Sequence, residues 1–463
     1  MDLVEQLNHI FYPRTIAVVG VSSDPKKIGA MCLRSLLDGG FKGKIYGVNP
    51  NLTELWGLKL YPSVSSIPDD VDLAIVVIPA EQTVPVVEEC ASKGVKGTIM
   101  LSSGFKELGS KAGLNLEDKI RDIANRAGMK IVGPNCLGIV NPKANLNATF
   151  LTELGLNKPG SVALITQSGA MSLHITNALT TENVGISKLV SVGNRANLHF
   201  DEVVEYLAQD KETKVIALYI EGIERARQLM QVARRVVKKK PIIAYKCGRS
   251  QELDKASLSH TGALVGNYEL YRAAFTQAGI IGVNDLTELV DVAKALAFQP
   301  PAFGNRVAVM SSGAGPGMVI SDRCHRLGLR LAEFSAATYR SLRKLVPPLN
   351  PVDNPVDVAI AARYYDISME MLKLVMEDEG VDMVVGATVV PTNQAKFLEA
   401  LVSTSKCYKK PIVACLVYPL SEQDEKLLKM VDEGRVPVYP FPDRAVTGLW
   451  ALWEYGKILK NTA

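Results

Sequence analysis

The segment Val162-Ala-Leu-Ile-Thr-Gln-Ser-Gly-Ala-Met-Ser172, "VALITQSGAMS", decides the fold, because it returns at 307–317 as "VAVMSSGAGPG". Each copy is a β-branched apolar run broken by Ser-Gly-Ala, the pattern of a buried strand turning into a helix. A second pair, "KKPIIAYKCG" (239–248) and "KKPIVACLVY" (409–418), follows the first. The two spacings differ by an amount that loop insertions absorb. The chain therefore carries a duplicated strand–Ser-Gly-Ala–helix unit.

Short β-branched runs alternate with amphipathic segments along the whole chain, which predicts an α/β fold of βαβ units and doubly wound parallel sheets. A length of 463 residues suits about three domains. The breaks fall near "NKPG" (157–160) and at the Pro/Gly-rich "FQPPAFGN" (298–305). The expected domains are 1–150, 151–298 and 299–463. In the first, "TIAVVGVSS", "KIYGVNP", "LAIVVIPA", "GTIMLSSGF" and "KIVGPNCLG" read as successive strand ends. Ligands of open α/β sheets gather at such carboxyl ends.

Composition narrows the partners. A net charge of +4 is too small to make nucleic acid the main ligand. The basic run at 234–240 lies where a helix ends before Pro241, so it complements a helix dipole. Seven cysteines, none in Cys-x-x-Cys spacing, fit free thiols in a reducing cytoplasm and no zinc site or other metal centre. The first residues, "MDLVEQLNHIFYPR", do not read as a signal peptide, and no long apolar run reads as a membrane span.

"VVGVSSDPKKIGAMCLRSLL" (18–37) reads as strand, tight turn at Gly20, then helix. Ser22 and the N–H groups of the helix start can hold an anion, with Lys26 and Lys27 adding charge. The pattern is not Gly-x-Gly-x-x-Gly, and the next strand ends Gly47-Val-Asn-Pro50 without an acid. That argues against a nicotinamide dinucleotide and allows a nucleotide whose ribose carries a phosphate. Ser168-Gly169-Ala170 and Ser312-Gly313-Ala314 each open a helix and offer free N–H groups; two such ends aimed at one point would grip a phosphoryl group.

One of the five histidines, His260, sits among small residues in "SLSHTGALVG" (257–266), a segment with no counterpart after "KKPIVACLVY". Gly262 and Gly266 permit unusual loop conformations there. Glu221, at a strand end in "ALYIEGIERA", can fix the imidazole tautomer and leave the other ring nitrogen as nucleophile. Glu224 is the competing acid. His9, His174, His199 and His325 read as structural.

These residues together resemble the α subunit of ADP-forming acetyl-CoA synthetases, among the NDP-forming acyl-CoA synthetases, with succinyl-CoA synthetase as a relative. The most specific parts are "SHTGAL" (259–264), "YIEG" (219–222), "ITQSGA" (165–170), "VIPA" (77–80) and "GPNCLG" (133–138), with "SVGNRA" (191–196), "SSGAGPG" (311–317) and "NPVDV" (354–358) in support. The resemblance implies a Rossmann-like CoA-binding domain followed by two flavodoxin-like domains. It implies that acyl-CoA, ADP and phosphate interconvert with acid, CoA and ATP through an acyl phosphate and a phosphohistidine. It places coenzyme A at Gly20, Ser22, Lys26, Asn49, Pro79, Ser103 and Asn135, and phosphate at the two Ser-Gly-Ala helix ends. It makes His260 the phosphoryl carrier and Glu221 its orienting acid. No segment resembles an ATP-grasp nucleotide domain, so ADP or ATP with Mg²⁺ is expected on a separate β subunit, in an α₂β₂ assembly in the cytoplasm. The alternatives are a non-catalytic CoA-binding regulator of the same fold and, less well supported, a nicotinamide dehydrogenase.

Overall fold

The computed structural model describes residues 2–152, 154, 158–248, 268–358, 361–389, 391–416 and 425–462. His260 and its loop lie outside the described residues. The chain divides into two compact units, Met1–Leu286 and Thr287–Ala463.

The first unit holds two sheets. One comprises β1 (Thr15–Val19), β2 (Lys44–Val48), β3 (Glu54–Leu55), β4 (Leu58–Tyr61), β5 (Leu73–Val76), β6 (Gly97–Met100) and β7 (Lys130–Val132), in the order β3-β4-β2-β1-β5-β6-β7. All neighbours are parallel except β3 and β4. The other comprises β8 (Ile139–Asn141), β9 (Leu146–Ala148), β10 (Pro159–Thr166), β11 (Ile186–Ser191), β12 (Val215–Ile220), β13 (Ile242–Lys246) and β14 (Ile281–Val283), in the order β14-β13-β12-β10-β11-β8-β9. The strand β12 is buried at every position, as expected of a strand covered by helices on both faces.

The second unit holds β15 (Arg306–Ser311), β16 (Arg330–Leu331), β17 (Val356–Asp357), β18 (Met383–Thr388), β19 (Ile412–Leu416) and β20 (Val438–Tyr439). They run β16-β15-β18-β19-β20, with β17 beside β15. Phe397, Leu401, Met371 and Val384 pack in its core.

With the short flanking strands set aside, all three sheets share the order 2-1-3-4-5. The order reverses between β1 and β5, between β10 and β12, and between β15 and β18. Open α/β sheets bind their ligands at such reversals, outside the carboxyl ends of the strands. The expected α/β architecture is thus present three times, where the sequence displayed its repetition twice.

Two details differ from the expected boundaries. Strands β8 and β9 lie before residue 150, yet β8 pairs antiparallel with β11 in the second sheet. The helix Leu286–Phe298 lies before residue 299, yet Asp291 receives a two-pronged bond from Arg444, 2.7 Å from Nη2 and 2.9 Å from Nε. Its Lys294 donates to the carbonyl of Val438 at 2.5 Å. Both outcomes are set by long-range partners that local patterning does not report.

His199 precedes the helix Phe200–Gln209, and its backbone N–H donates to Glu202 at 3.0 Å. Burial is the main influence on its ring, pushing the pKa from 6.5 down to about 4, against the opposing pull of the Glu202 carboxylate. Between those values the unfolded chain binds a proton that the folded chain refuses. Stability therefore rises with pH across that window and is lost as pH falls through it, by up to about 3 kcal/mol. His199→Gln should flatten the urea-unfolding free energy between pH 6.5 and 4 relative to the parent protein; an unchanged slope would show that the ring is not the titrating group.

Candidate active site

Gly20 closes β1 with φ +95°, and a Cβ there would lie 2.3 Å from the carbonyl oxygen of Val77. Only glycine lets the ends of β1 and β5 meet at the first reversal. The expected coenzyme positions gather around this point. Asn49, after β2, donates to the carbonyl of Val21 at 2.7 Å and accepts from Asn51 N–H at 2.8 Å, so it braces the turn. Ser22 accepts from Asp24 N–H at 3.2 Å, Lys26 N–H donates to Asp24 at 3.0 Å, and Lys27 occupies the position just before the helix Ile28–Asp38 without a side-chain cap. Pro79 precedes the short turn Ala80–Gln82 after β5.

Ser168 caps the helix Gly169–Thr181, accepting from Met171 N–H at 3.3 Å. The N–H groups of Gly169 and Ala170, in its first turn, have no intrahelical acceptor. This helix start belongs to the second sheet, yet it borders residues of the first. A cavity of about 550 Å³ is lined by Ser103 and Asn135 from the first sheet and by Ser168, Gly169, Ala170 and Glu221 from the second. Ile28, the first residue of the helix after Lys27, also lines it. Six expected site residues therefore meet in one space. Gly20, Ser22, Lys26, Lys27, Asn49 and Pro79 do not line it.

Two interlocked loops create the juxtaposition. The "GPNCLG" loop carries Asn135 at φ +54°, with its N–H on the carbonyl of Ser102 at 2.9 Å. The "SVGNRA" loop docks on it: Asn194 N–H reaches the Pro134 carbonyl at 2.9 Å, and Ala196 N–H the Gly133 carbonyl at 2.9 Å. Gly193 fits because a Cβ would stand 2.3 Å from the Pro134 oxygen. The Asn194 amide then donates to two buried carboxylates, Glu107 at 2.6 Å and Glu117 at 2.9 Å.

The choice between Glu221 and Glu224 divides on geometry. The Glu224 carboxylate is held by Lys106 at 3.2 Å and Arg195 at 3.3 Å. Burial works to raise its pKa, but the two cations outweigh it and hold it below the usual carboxylate range. Glu221 borders the cavity instead. Its turn is fixed by Gln167, whose Oε1 accepts from Glu221 N–H at 2.5 Å and Gly222 N–H at 2.9 Å. Gln167 and Arg195 lie within "ITQSGA" and "SVGNRA", yet neither stands out in those motifs. The signal for Gln167 was its place beside Ser168; Arg195 gave none, since its partners lie on separate segments.

In the second unit, Gly313 and Ala314 open the helix Ala314–Arg326 and line a separate cavity of about 520 Å³ with Asp353 and Asn354. Ser312, expected to bind phosphate, accepts from Val389 N–H at 3.0 Å and so ties β15 to the segment after β18. Ser311 lines the cavity in its place.

No described helix is long and apolar enough to cross a membrane. The sequence matches the CoA binding domain family over residues 14–142, the succinyl-CoA ligase like flavodoxin domain over 159–296, and the ligase-CoA domain over 307–457. The acetate–CoA ligase [ADP-forming] II subunit alpha of Pyrococcus furiosus is 40% identical over 457 residues, covering 97% of this chain and 98% of that protein. The acetate–CoA ligase [ADP-forming] I of Archaeoglobus fulgidus is 40% identical over 98% of this chain, which spans 64% of that longer protein. The dinucleotide forming acetyl-coenzyme A synthetase 1 of Ca. Korarchaeum cryptofilum, solved with phosphate and ADP, superposes with a TM-score of 0.89 at 34% identity and 98% coverage of both chains. With these relatives matched along nearly its whole length, and with the same strand order present three times over, the chain belongs to the ADP-forming acetate–CoA ligase family of acyl-CoA synthetases.

Proposed function

We propose that this chain is the α subunit of an ADP-forming acyl-CoA synthetase, interconverting acyl-CoA, ADP and phosphate with acid, CoA and ATP. The observation that carries the proposal is the single cavity shared by Ser103, Asn135, the Ser168–Ala170 helix start and Glu221. Coenzyme A lies along the strand ends at Gly20, Asn49 and Pro79, with its thioester directed toward Asn135. Phosphate is held by the N–H groups of Gly169 and Ala170; the Gly313–Ala314 helix start offers a like anion site within the second unit. A phosphate oxygen attacks the thioester carbonyl, the C–S bond breaks, and CoA leaves as thiolate and takes up a proton. Positioning the weakly nucleophilic phosphate can supply roughly 7–11 kcal/mol.

A ring nitrogen of His260 then takes the phosphoryl group and the carboxylate leaves. Glu221 stabilises the ring as it gains charge. The P–N bond breaks when the phosphoryl group passes to ADP. An ATP-grasp β subunit with Mg²⁺ supplies that second site, in an α₂β₂ assembly in the cytoplasm. The name of the Pyrococcus relative, a subunit alpha, supports a partner. So does the longer Archaeoglobus relative, of which this chain spans 64%.

The test is reconstitution with an ATP-grasp β subunit. ATP should form from acetyl-CoA, ADP and phosphate, and only with both chains present. CoA binding without turnover in the presence of an active partner would instead favour the non-catalytic regulator.

A further inference from the structure

The established resemblance leaves the acid itself unspecified. The cavity beside the Gly169–Thr181 helix start is lined by polar groups and by large apolar side chains, Leu101, Leu137, Phe150, Leu151 and Leu173 among them. Leu173 lies one turn into the helix, and helical side chains lean toward the N-terminus. Its side chain therefore covers the turn that carries the free N–H groups. Leu137 closes the other flank: a Cβ on Gly169 would lie 3.5 Å from the Leu137 Cβ.

Phe150 and Leu151 follow β9 on a turn that is braced at both ends. Thr149 Oγ donates to Asn147 Oδ1 at 2.7 Å and accepts from Leu151 N–H at 3.0 Å, while the Asn147 amide donates to the Leu151 carbonyl at 2.7 Å. Asn147 and Thr149 are fully buried, whereas Phe150, Leu151 and Leu173 remain partly open. A rigid buried support thus presents apolar side chains to the cavity without consuming them in the core.

Charge is absent from this wall. Among the described residues, the one cationic side chain lining the cavity is Arg195, and its guanidinium already donates to Glu224 at 3.3 Å and to the Gly193 carbonyl at 3.2 Å. A ligand with a second carboxylate would have to strip that charge of water against leucine and phenylalanine, which is strongly unfavourable.

We propose that Phe150, Leu151 and Leu173 form the acyl subsite, that this uncharged wall is what excludes a second carboxylate, and that Phe150 sets the longest tail admitted. This rests on the synthetase reading above. A smaller side chain at position 150 leaves room for larger acids, and one methylene in an apolar pocket is worth about 10-fold or more in specificity.

The experiment uses the complex reconstituted with an ATP-grasp β subunit and measures ATP- and CoA-dependent thioester formation with acetate, butyrate, hexanoate, phenylacetate and succinate. Phe150→Ala should raise kcat/KM for hexanoate and phenylacetate relative to acetate by about tenfold, and Phe150→Trp should lower it. The KM for CoA should stay unchanged, and the parent should use succinate far less well than butyrate. If both variants keep the parent acid profile, or if Phe150→Ala raises the KM for CoA equally with every acid, the wall serves the pantetheine arm and the inference fails. Succinate turnover matching butyrate would overturn the charge argument. If Phe150→Ala does not fold, Leu173→Ala must shift the profile in the same direction. A parent complex that activates no acid at all would instead sink the synthetase reading.

Discussion

Replacing His260 by alanine should abolish ATP formation in the reconstituted complex while leaving the thioester step intact. In the proposed mechanism the two steps use different groups. Attack of phosphate on acyl-CoA needs an anion site and an oriented thioester, and the Gly169–Ala170 helix start and Asn135 border the same cavity. Transfer to ADP needs a carrier that can leave that cavity with its phosphoryl group. Removing a nucleophile that acts as one unit with its partner costs about 10⁶-fold in a serine protease. His260→Ala should therefore lose about that factor in ATP synthesis and show no acid-labile, base-stable phosphate label. The same variant, given acetyl-CoA and phosphate, should still release CoA thiol and yield acyl phosphate that hydroxylamine traps as hydroxamate. Retained label or retained ATP synthesis would remove His260 from the mechanism. Loss of the hydroxamate as well would mean that the imidazole also acts before transfer, in the thioester step itself.

Much of this site could be read from sequence because α/β folds place chemistry at strand ends, and strand ends are local events. Gly20, Ser168, Gly169 and Glu221 each follow a short β-branched run, so their positions needed no knowledge of distant partners. What could not be read depends on long-range pairing. Strands β8 and β9 carry turn signals like those of the first domain, but β8 binds β11, dozens of residues later. The helix Leu286–Phe298 looks like the end of the second domain until Arg444 claims Asp291. Arg195 acquires meaning only when Glu224 and, through it, Lys106 reach it from two other segments. The Ser311–Ser312 pair shows the limit at the smallest scale. Both are serines at a strand end, and the side chain that ties β15 to the segment after β18 is the one the motif had marked for phosphate.

Gln167 offers the other large effect, because one side chain does two separable things. Its Oε1 accepts from both Glu221 and Gly222 N–H, which sets the turn that presents the Glu221 carboxylate. It also lines the cavity beside Ser168 without adding charge. Gln167→Met keeps the volume and removes the acceptor. Two backbone donors then lose their partner at a residue only 8% exposed, a penalty of about 1–3 kcal/mol for each donor that finds no water. The turn should relax, and misdirecting an orienting carboxylate typically lowers activity about 10–100-fold. The expected signature is a fall in kcat, a slower rise of phosphohistidine and a lower urea midpoint, with little change in the KM for phosphate. Gln167→Glu should behave differently. Its carboxylate can still accept both N–H groups, so the urea midpoint should recover. The added negative charge would then stand in the cavity proposed to receive phosphate, and the KM for phosphate should rise while the orientation of Glu221 is kept. If the two variants instead lose kcat and stability together and leave the KM for phosphate alone, Gln167 is only a strut of the fold, and the anion site must be sought away from the Ser168 helix end.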